Sequence, residues 1–500
     1  MAAPGRSGEI TAGILNDRAR PHPENRAILE RPRGDGLQGE AVERKNRRLV
    51  FLAVTCASFL ANLFGSAVTV ALPSVGNELG ISRGDLSLTL MLFLLVGAVL
   101  MVPAGRLADL WGRRAVFLLG LGLFALFCVL GPMAGTRGAL LAGALVGGTG
   151  IALSYGTSLA ILVKFFPPGE RGKIFGLHAS ISFLALTSGP YVGGLLTTLF
   201  GWRSIFWACL PLAAAGIVLA SLALPRERQT DRGPGAVARF DGAGALLYAS
   251  ALALVLVGFS SLSRPAGPWS LAAGVLLVLG YVRYARRASD PVMPLALFSN
   301  RLFALSNLAS MIHYASTYGT AFLLGVYLQD PALGGLSPAE AGRLLLVQPL
   351  VQAAVSPLAG ALSDRVEARW LASGGLGVCS AALLVLGWLG PTVSRGSVAA
   401  ILALLGLGYA LFASPNNNAI MSSVDPSRSS LASGVLGTFR ILGMAFSMAT
   451  TTLVLSSFAG AGSGAEAFLG GFHTCFRLFS ALAVAGAIAS LARGQALSRA

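Results

Sequence analysis

The chain has 500 residues, of which 54% are hydrophobic and 12% are charged, and its mean hydropathy is +0.71. A soluble domain carries about 25% charged residues, so the composition excludes an ordinary soluble protein. The net charge of +16 is compatible with nucleic acid or anionic lipid as a partner. The basic residues, however, lie in short runs between apolar stretches of about 20 residues, the length that crosses a bilayer. The sequence therefore predicts an all-α membrane protein embedded in lipid, with no nucleic-acid partner.

Residues 1–48 are polar, mixed in charge and rich in Arg, Pro and Gly, and they lack the apolar core of a signal peptide. We interpret them as a disordered cytoplasmic tail. About fourteen apolar stretches follow, and each predicts a transmembrane helix. In chain order these predicted spans are 49–72, 86–104, 115–134, 140–162, 175–200, 204–224, 242–262, 270–284, 303–328, 341–362, 370–389, 398–420, 431–458 and 468–491.

The positions of lysine and arginine predict the orientation of these spans. With the tail in the cytoplasm, 29 of the 37 basic residues lie on the cytoplasmic side and six lie outside. The remaining two, Arg440 and Arg477, lie deep within spans, whereas every other basic residue lies in a connection or near the end of a span. We therefore expect a multi-pass protein of the inner (plasma) membrane with both termini in the cytoplasm.

An internal repeat divides the chain into two halves. The connection after the second span reads GRLADLWGRR at 105–114, and the connection after the tenth reads GALSDRVEAR at 360–369. Gly, Leu, Asp and the final Arg coincide, and parallel six-helix repeats are a transporter architecture. The expected organisation is a tail (1–48), an N-terminal six-helix bundle (49–224), loops with two inserted helices (225–302), a C-terminal six-helix bundle (303–492) and a second cytoplasmic tail (493–500).

The first copy of the repeat resembles the signature loop of the major facilitator superfamily, GxLaDrxGrr. Its chemistry fits a cytoplasmic gate, because Gly105 permits two helix ends to approach and Asp109 can face helix N-termini or nearby cations. We expect Asp109 to contact the start of the thirteenth helix at residues 429–431. The predicted gating residues are Gly105, Asp109, Gly112, Arg113, Arg114, Gly360 and Asp364.

A second motif lies in the fifth span, where residues 188–194 read SGPYVGG and resemble the GPxxGG motif of major facilitator antiporters. Proline bends a helix and glycine permits close helix packing. The segments GWR at 201–203, FDG at 240–242 and PLALF at 294–298 extend the resemblance to the fourteen-helix, drug-exporter-like branch. That branch implies drug efflux by proton antiport, hence multidrug resistance. The motif residues are Gly189, Pro190, Gly193 and Gly194.

Two positions depart from that branch. Its first helix typically reads DxTIVNVALP, and this chain has Phe64 at the acidic position. Its fourth helix typically reads RxxQGxG, and this chain has Ala144 at the arginine position. Because both positions are associated with proton coupling or substrate binding in the family, the sequence leaves open a uniporter or an organic-anion carrier.

Polar and ionisable groups inside spans are candidates for the transport pathway. No acidic residue is predicted at mid-membrane, so coupling falls to the three deep groups His313, Arg440 and Arg477. The alternative is that each of them donates to backbone carbonyls within the bundle. The uncharged cavity candidates are Asn62, Tyr155, Asn307, Gln348 and Gln352, while Asn416, Asn417 and Asn418 are expected nearer the cytoplasmic gate.

The sequence holds no signal for catalysis. Its five cysteines lie singly within apolar stretches, which predicts neither disulfides nor a metal site, and an HExxH motif is absent. A GxSxG match occurs at residues 80–84, but it lies in the connection between the first two predicted spans and lacks the strand-to-helix turn that a catalytic serine needs. We therefore expect a monomeric secondary active transporter without a cofactor, exporting a small organic compound by alternating access in exchange for protons. A non-transporting membrane receptor or assembly factor is the alternative from another class.

Overall fold

The computed structural model describes residues 33–226, 240–262, 264–391, 394–458 and 464–494, which contain sixteen α-helices. The first eight correspond one by one to the first eight predicted spans. They are α1 (Arg33–Leu79), α2 (Arg83–Trp111), α3 (Arg113–Leu130), α4 (Arg137–Phe165), α5 (Pro168–Phe200), α6 (Arg203–Ala223), α7 (Gly242–Ser260) and α8 (Ala266–Ala285).

The other eight helices correspond to the last six predicted spans. They are α9 (Arg301–Thr317), α10 (Thr320–Gln329), α11 (Pro338–Leu345), α12 (Val347–Ser363), α13 (Ala368–Leu386), α14 (Arg395–Ser422), α15 (Ser429–Phe458) and α16 (Gly464–Ala492). The ninth predicted span is divided between α9 and α10, and neither is long enough alone to cross a membrane. For that reason 13 helical segments of the described residues, rather than fourteen, are long and apolar enough to span it. The predicted all-α membrane fold is confirmed.

Both predicted tails need correction at their inner ends. Residues 33–48, expected to be disordered, are helical, because α1 begins at Arg33. Glu, Lys and Arg favour helix, and a helix continuous with an apolar span needs no new nucleus. At the other terminus, Arg493 belongs to the bundle, since its side chain is buried and donates to Asn416 Oδ1 at 2.9 Å. Residues 1–32 and 495–500 lie outside the described residues.

The two halves repeat one arrangement that the sequence analysis missed. Asp85, in the first turn of α2, pairs with Arg137 at the start of α4, at 3.1 Å. In the second half, Glu340 in the first turn of α11 pairs with Arg395 at the start of α14, at 3.0 Å. Each acidic residue also interacts with a serine that caps its own helix. These matched pairs support a repeated six-span unit.

The seam between the halves is formed by α2 with α15 and α5 with α12, and to a smaller extent by α4 with α15 and α5 with α14. The inserted hairpin of α7 and α8 is placed beside this seam, because α7 packs against both α2 and α15. The hydroxyl of Tyr248 in α7 donates to Thr438 in α15 at 3.3 Å. Large apolar side chains such as Leu199, Leu222 and Trp269 are exposed on the outer surface, as expected for helices that face lipid.

Candidate functional site

One end of the seam is closed by a carboxylate of α2. Asp109 accepts hydrogen bonds from two successive backbone N–H groups at the start of α15, those of Ser430 (3.1 Å) and Leu431 (2.9 Å). Its side chain is 3% exposed, and the Arg113 guanidinium lies 3.9 Å away. The helix N-terminus and these charge-assisted bonds offset the cost of burying the carboxylate. This is the contact expected from the sequence, and we call this end of the bundle the motif end.

The same arrangement is repeated with the halves exchanged. Asp364, which follows α12, accepts from the backbone N–H groups of Gly172 (2.8 Å) and Lys173 (3.0 Å) near the start of α5. Ser414 in α14 donates to the carbonyl of Gly172 at 2.9 Å, so α14 also reaches across the seam. Each half therefore supplies one carboxylate and one helix N-terminus to the motif end.

Glycine permits the two helix pairs to meet with their backbones in contact. A methyl group added at Gly105 would overlap the carbonyl of Ser430, and one added at Gly360 would overlap the carbonyl of Gly172. At Gly434, one turn further along α15, it would overlap the carbonyl of Met101. The carboxylates can reach the opposite helix N-termini because these side chains are absent.

The other members of the signature loop act differently from one another. Gly112 ends α2 with φ at +100°, a conformation that favours glycine. Arg113 crosses the seam, where its Nε donates to Ser430 Oγ at 3.1 Å. Arg114 stays within the N-terminal half, because it donates to the carbonyl of Leu224 beyond the end of α6, at 2.6 Å. Only part of the loop therefore joins the two halves.

The glycine–proline motif of α5 packs two helices of the same half together. Gly189 and Gly193 lie so close to residues 63–67 of α1 that an added methyl group would overlap them. Gly194 faces a more open space, and Pro190 is exposed. The motif therefore sets the distance between α5 and α1, and it lies outside the seam.

A cavity of about 160 Å³ lies between the halves. Met101 separates it from the motif end, since this residue packs against Gly434 and Gly437 of α15. Three of the residues predicted from the sequence line the cavity: Asn62, Tyr155 and Arg440. The described residues that line the cavity are Ala61, Asn62, Phe93, Leu94, Gly97, Met101, Ile151, Tyr155, Gly437, Arg440, Ile441 and Met444.

Arg440 connects the two halves at the cavity wall. Its Nη1 donates to the hydroxyl of Tyr155 in α4 at 3.1 Å. Its guanidinium carbon lies 4.9 Å from the ring centroid of Tyr314 in α9, a cation–π distance. The sequence analysis considered that Arg440 donates to backbone carbonyls within the bundle. In the structure it contacts two tyrosines instead.

The other two deep ionisable candidates do not line this cavity. His313 is fully buried against Tyr409 and Phe412, with ring centroids 4.4 Å apart in each case. Neither of its ring nitrogens has a hydrogen-bond partner within the described part of the chain. Arg477 is exposed and faces the ring of Trp388 at 5.3 Å. The sequence analysis placed Arg477 among the candidates for the transport pathway, and this is corrected, because α16 turns it toward the outer surface.

Three uncharged candidates are placed inside the C-terminal half and away from the cavity. Asn307 is buried and donates to the carbonyl of Phe303, one turn earlier in its own helix. Gln352 is buried in α12, and Gln348 is half-buried with its backbone carbonyl against Gly406 of α14. Their sequence positions were compatible with a cavity lining, but the rotation of α9 and α12 turns these three side chains away from the cavity.

The asparagine run near the end of α14 belongs to the packing at the motif end. Asn416 donates to the carbonyl of Ser306 at 3.1 Å and accepts from Arg493 at 2.9 Å, so it joins α14 to α9 and to the residue after α16. Asn418 donates to Ser363 Oγ at 3.4 Å. Burial lowers the pKa of Arg493 to about 10, which leaves the guanidinium charged at neutral pH.

Apolar packing surrounds Phe64 and Ala144, the two positions at which the sequence departs from the drug-exporter-like branch. Phe64 is 2% exposed, and its ring centroid lies 5.1–5.7 Å from those of four other phenylalanines. Ala144 is buried in the same apolar cluster. Edge-to-face contacts of this kind stabilise aromatic clusters. The four neighbouring rings are those of Phe93, Phe124, Phe127 and Phe206.

Two polar contacts were not anticipated from the sequence. In α5, His178 is buried with its Nε2 2.7 Å from the hydroxyl of Ser58 in α1. Beside the seam, Arg106 of α2 forms an ion pair with Asp290 in the connection between α8 and α9. In the sequence, the indication of this ion pair was the position of Arg106 inside the signature loop. The described residues contain no cluster of three or more His, Cys, Asp or Glu side chains that could hold a metal ion.

A helical membrane bundle of two repeated halves, with a cavity between them and reciprocal contacts at one end, defines a membrane transporter. The chain belongs to the Major Facilitator Superfamily, whose sequence profile matches residues 54–448 and 307–496. It is therefore a transporter of that superfamily, and it is not an enzyme.

Named relatives cover most of the chain. The riboflavin transporter RibZ of Clostridioides difficile is 28% identical over 83% of this chain and 88% of its own length. The multidrug resistance protein Stp of Mycobacterium tuberculosis is 30% identical over 83% of this chain and 77% of its own length. The crystal structure of the human organic anion transporter TETRAN is similar with a TM-score of 0.61, covering 90% of this chain and 99% of that one. At 19% sequence identity, the structural likeness supports the fold alone.

Proposed function

We propose that this transporter exports a small organic compound by alternating access. The observation that carries the proposal is the reciprocal closure of the motif end, with Asp109 on α15 and Asp364 on α5. Because each half contributes one carboxylate and one helix N-terminus, rocking the halves apart breaks both contacts together. The cavity between the halves would then open toward the motif end.

The energetics allow such a second state. Each hydrogen bond to a charged group contributes about 1.5–3 kcal/mol, so the two carboxylates stabilise the closed seam considerably. Burying a carboxylate costs several kcal/mol, and that cost is recovered when the seam opens and water reaches Asp109 and Asp364. The two terms oppose each other, which keeps the closed and open states close enough in free energy to exchange.

Export is the direction that the sequence and the relatives favour. The motif of α5 resembles that of major facilitator antiporters, and Stp is named as a multidrug resistance protein. The charge asymmetry of the loops supports an inner-membrane location with both termini and the motif end in the cytoplasm. In this orientation the closed motif end faces the side from which an exported compound is taken up.

Proton exchange is the driving force that we propose for export. The acidic position of the drug-exporter branch is Phe64, so a carboxylate there cannot carry the proton. Imidazole is the side chain whose charge changes near neutral pH, and His178 and His313 are both buried inside the bundle. We propose that His313 takes up the proton in a state of the cycle that admits water to it, since an imidazole buried without a partner stays neutral. Among the described residues its ring nitrogens have no partner, whereas His178 contacts Ser58.

The test is uptake into everted inner-membrane vesicles, in which cellular export becomes uptake. Vesicles containing the protein should accumulate at least one compound from a panel of riboflavin, lipophilic cations and aromatic carboxylates when their interior is acidified. The double variant Asp109→Asn, Asp364→Asn, expressed to the same level, serves as the control. Equal accumulation by wild type, double variant and empty vesicles across the panel would instead favour the receptor or assembly-factor alternative.

A further inference from the structure

Arg440 is the charged residue in the cavity lining. It lies ten residues beyond Ser430 in sequence, or about 15 Å along α15 from the motif end. A charge at such depth costs about 2.5–3.5 kcal/mol on insertion scales, so it needs a compensating partner. None of the ion pairs formed within the described residues includes Arg440.

The two tyrosines beside Arg440 leave donors available. Tyr155 accepts one N–H from Arg440, so the proton of its own hydroxyl remains free to be donated to another acceptor. Tyr314 contacts the guanidinium through its ring and is a second side-chain hydrogen-bond partner of Arg440. A guanidinium has five N–H donors, and Arg440 presents part of this fork to the cavity that it lines. Arg440 and Tyr155 therefore form a wall that supplies donors and positive charge.

The rest of the cavity is suited to an apolar body. Phe93, Leu94, Ile151 and Met444 are among the apolar residues that line it, and Asn62 is polar like Tyr155 and Arg440. An apolar cavity on the order of 150 Å³ holds a benzene-sized molecule, which is close to the 160 Å³ found between the halves. Among the described residues that line the cavity, none is a carboxylate that could attract a cation.

We infer that this cavity binds a small organic monocarboxylate, with its ring or chain on the apolar wall and its carboxylate on Arg440 and Tyr155. A guanidinium and a carboxylate match in shape and can form two parallel hydrogen bonds. The bound anion would also supply the charge compensation that Arg440 lacks among the described side chains. The inference rests on the proposed export function and specifies its substrate class as anions, in contrast to lipophilic cations.

Three probes of one size and different charge test the inference: benzoate, benzylammonium and benzyl alcohol. Binding is measured by ligand-observed NMR on the full chain in phosphatidylcholine nanodiscs. Benzoate should bind at least about tenfold more tightly than either other probe, the factor that corresponds to one charge-assisted hydrogen bond. Arg440→Gln should remove that preference and leave benzyl alcohol binding unchanged. Tyr155→Phe should weaken benzoate binding with a smaller effect.

Arg477→Gln is the matched control, because Arg477 lies on the outer surface against Trp388, and it should keep the wild-type preference. A wild type that prefers benzylammonium, or an Arg440→Gln variant with unchanged preference, overturns the inference. Displacement of benzoate by added phosphatidylglycerol would also overturn it, since the site would then bind a lipid headgroup. The binding assay does not depend on transport, so the two proposals can fail separately. If vesicles take up only cations, the proposed substrate class is wrong but the proposed export function is retained.

Discussion

At the scale of single residues, this protein stabilises deep charge mainly through neutral donors and acceptors. Asp109 and Asp364 are held by backbone N–H groups. Arg440 is held by a phenol and Arg493 by an amide oxygen. Such contacts can be broken without leaving an unpaired counter-charge behind in the membrane. The arrangement therefore suits groups whose partners must change during a transport cycle.

Asp109→Asn should reduce transport at least about tenfold, because the amide loses the charge that the two N–H groups of α15 stabilise. Expression should remain close to wild type, since one amide oxygen can still accept a hydrogen bond. Uptake into everted vesicles, normalised to protein, measures the effect. Asp330→Asn is the control, because the side chain of Asp330 accepts only a local hydrogen bond, from the backbone N–H of Ala332, among the described contacts. Wild-type turnover in Asp109→Asn would contradict a role for this carboxylate in the gate.

His313→Gln should abolish the response of transport to a pH gradient and leave downhill flux. The imidazole is enclosed by Tyr314, Tyr409 and Phe412, so glutamine keeps a polar group there but cannot be protonated near neutral pH. The measurement compares uptake with and without an imposed gradient. His473→Gln is the control, because His473 lies 2.7 Å from the carbonyl of Leu389. Persistence of the pH response in His313→Gln would place coupling in another group.

At the scale of secondary-structure elements, helix approach distances are set by glycine on both sides of the seam. Gly105 and Gly434 let α2 lie directly on α15, and Gly172, Gly176 and Gly360 do the same for α5 and α12. Small residues drive close packing of helices in lipid, where apolar side chains gain little by leaving the solvent. Glycine therefore sets how closely these helix pairs approach each other.

Gly105→Ala should shift the equilibrium away from the closed seam, since the added methyl group overlaps the carbonyl of Ser430. In a background without native cysteines, a cysteine at the buried position Ser433 should be labelled several times faster from the motif end. Gly122→Ala is the matched control, because a methyl group there meets nothing within 4 Å. Equal labelling of both variants would show that α2 and α15 adjust to the methyl group without opening.

At the scale of the whole molecule, the two inserted helices pack beside the seam. The α7–α8 hairpin contacts both halves through α7, and Asp290 beyond α8 pairs with Arg106 of the signature loop. A hairpin that contacts both α2 and α15 must adjust when these helices separate. We therefore expect the insertion to move with the N-terminal half, to which its ion pair connects it.

The orientation of the whole bundle is tested by cysteine labelling. The loop asymmetry of basic residues predicts that a cysteine at Ser261, in the turn after α7, reacts with an impermeant maleimide added outside the cell. A cysteine at Thr230, in a loop outside the described residues, should react only after the membrane is permeabilised. The reverse pattern would place both termini and the motif end outside the cytoplasm.

Much of this protein is determined by sequence alone. Apolar stretches of bilayer length define the spans, since each segment that crosses hydrocarbon must satisfy its own backbone as a helix. The repeated Gly and Asp of the two loops locate the halves, and Asp109 could be assigned to the start of α15 because carboxylates favour helix N-termini.

Tertiary structure alone decided which polar groups meet inside the bundle. Hydropathy predicts the depth of a residue but not the direction in which its helix turns it. Arg440 and Arg477 lie at similar predicted depths, yet one faces the cavity and the other faces Trp388. The aromatic cluster around Phe64 and the burial of Arg493 arise from helices distant in sequence. Rotation and packing of helices depend on contacts among all their neighbours, and no single span contains that information.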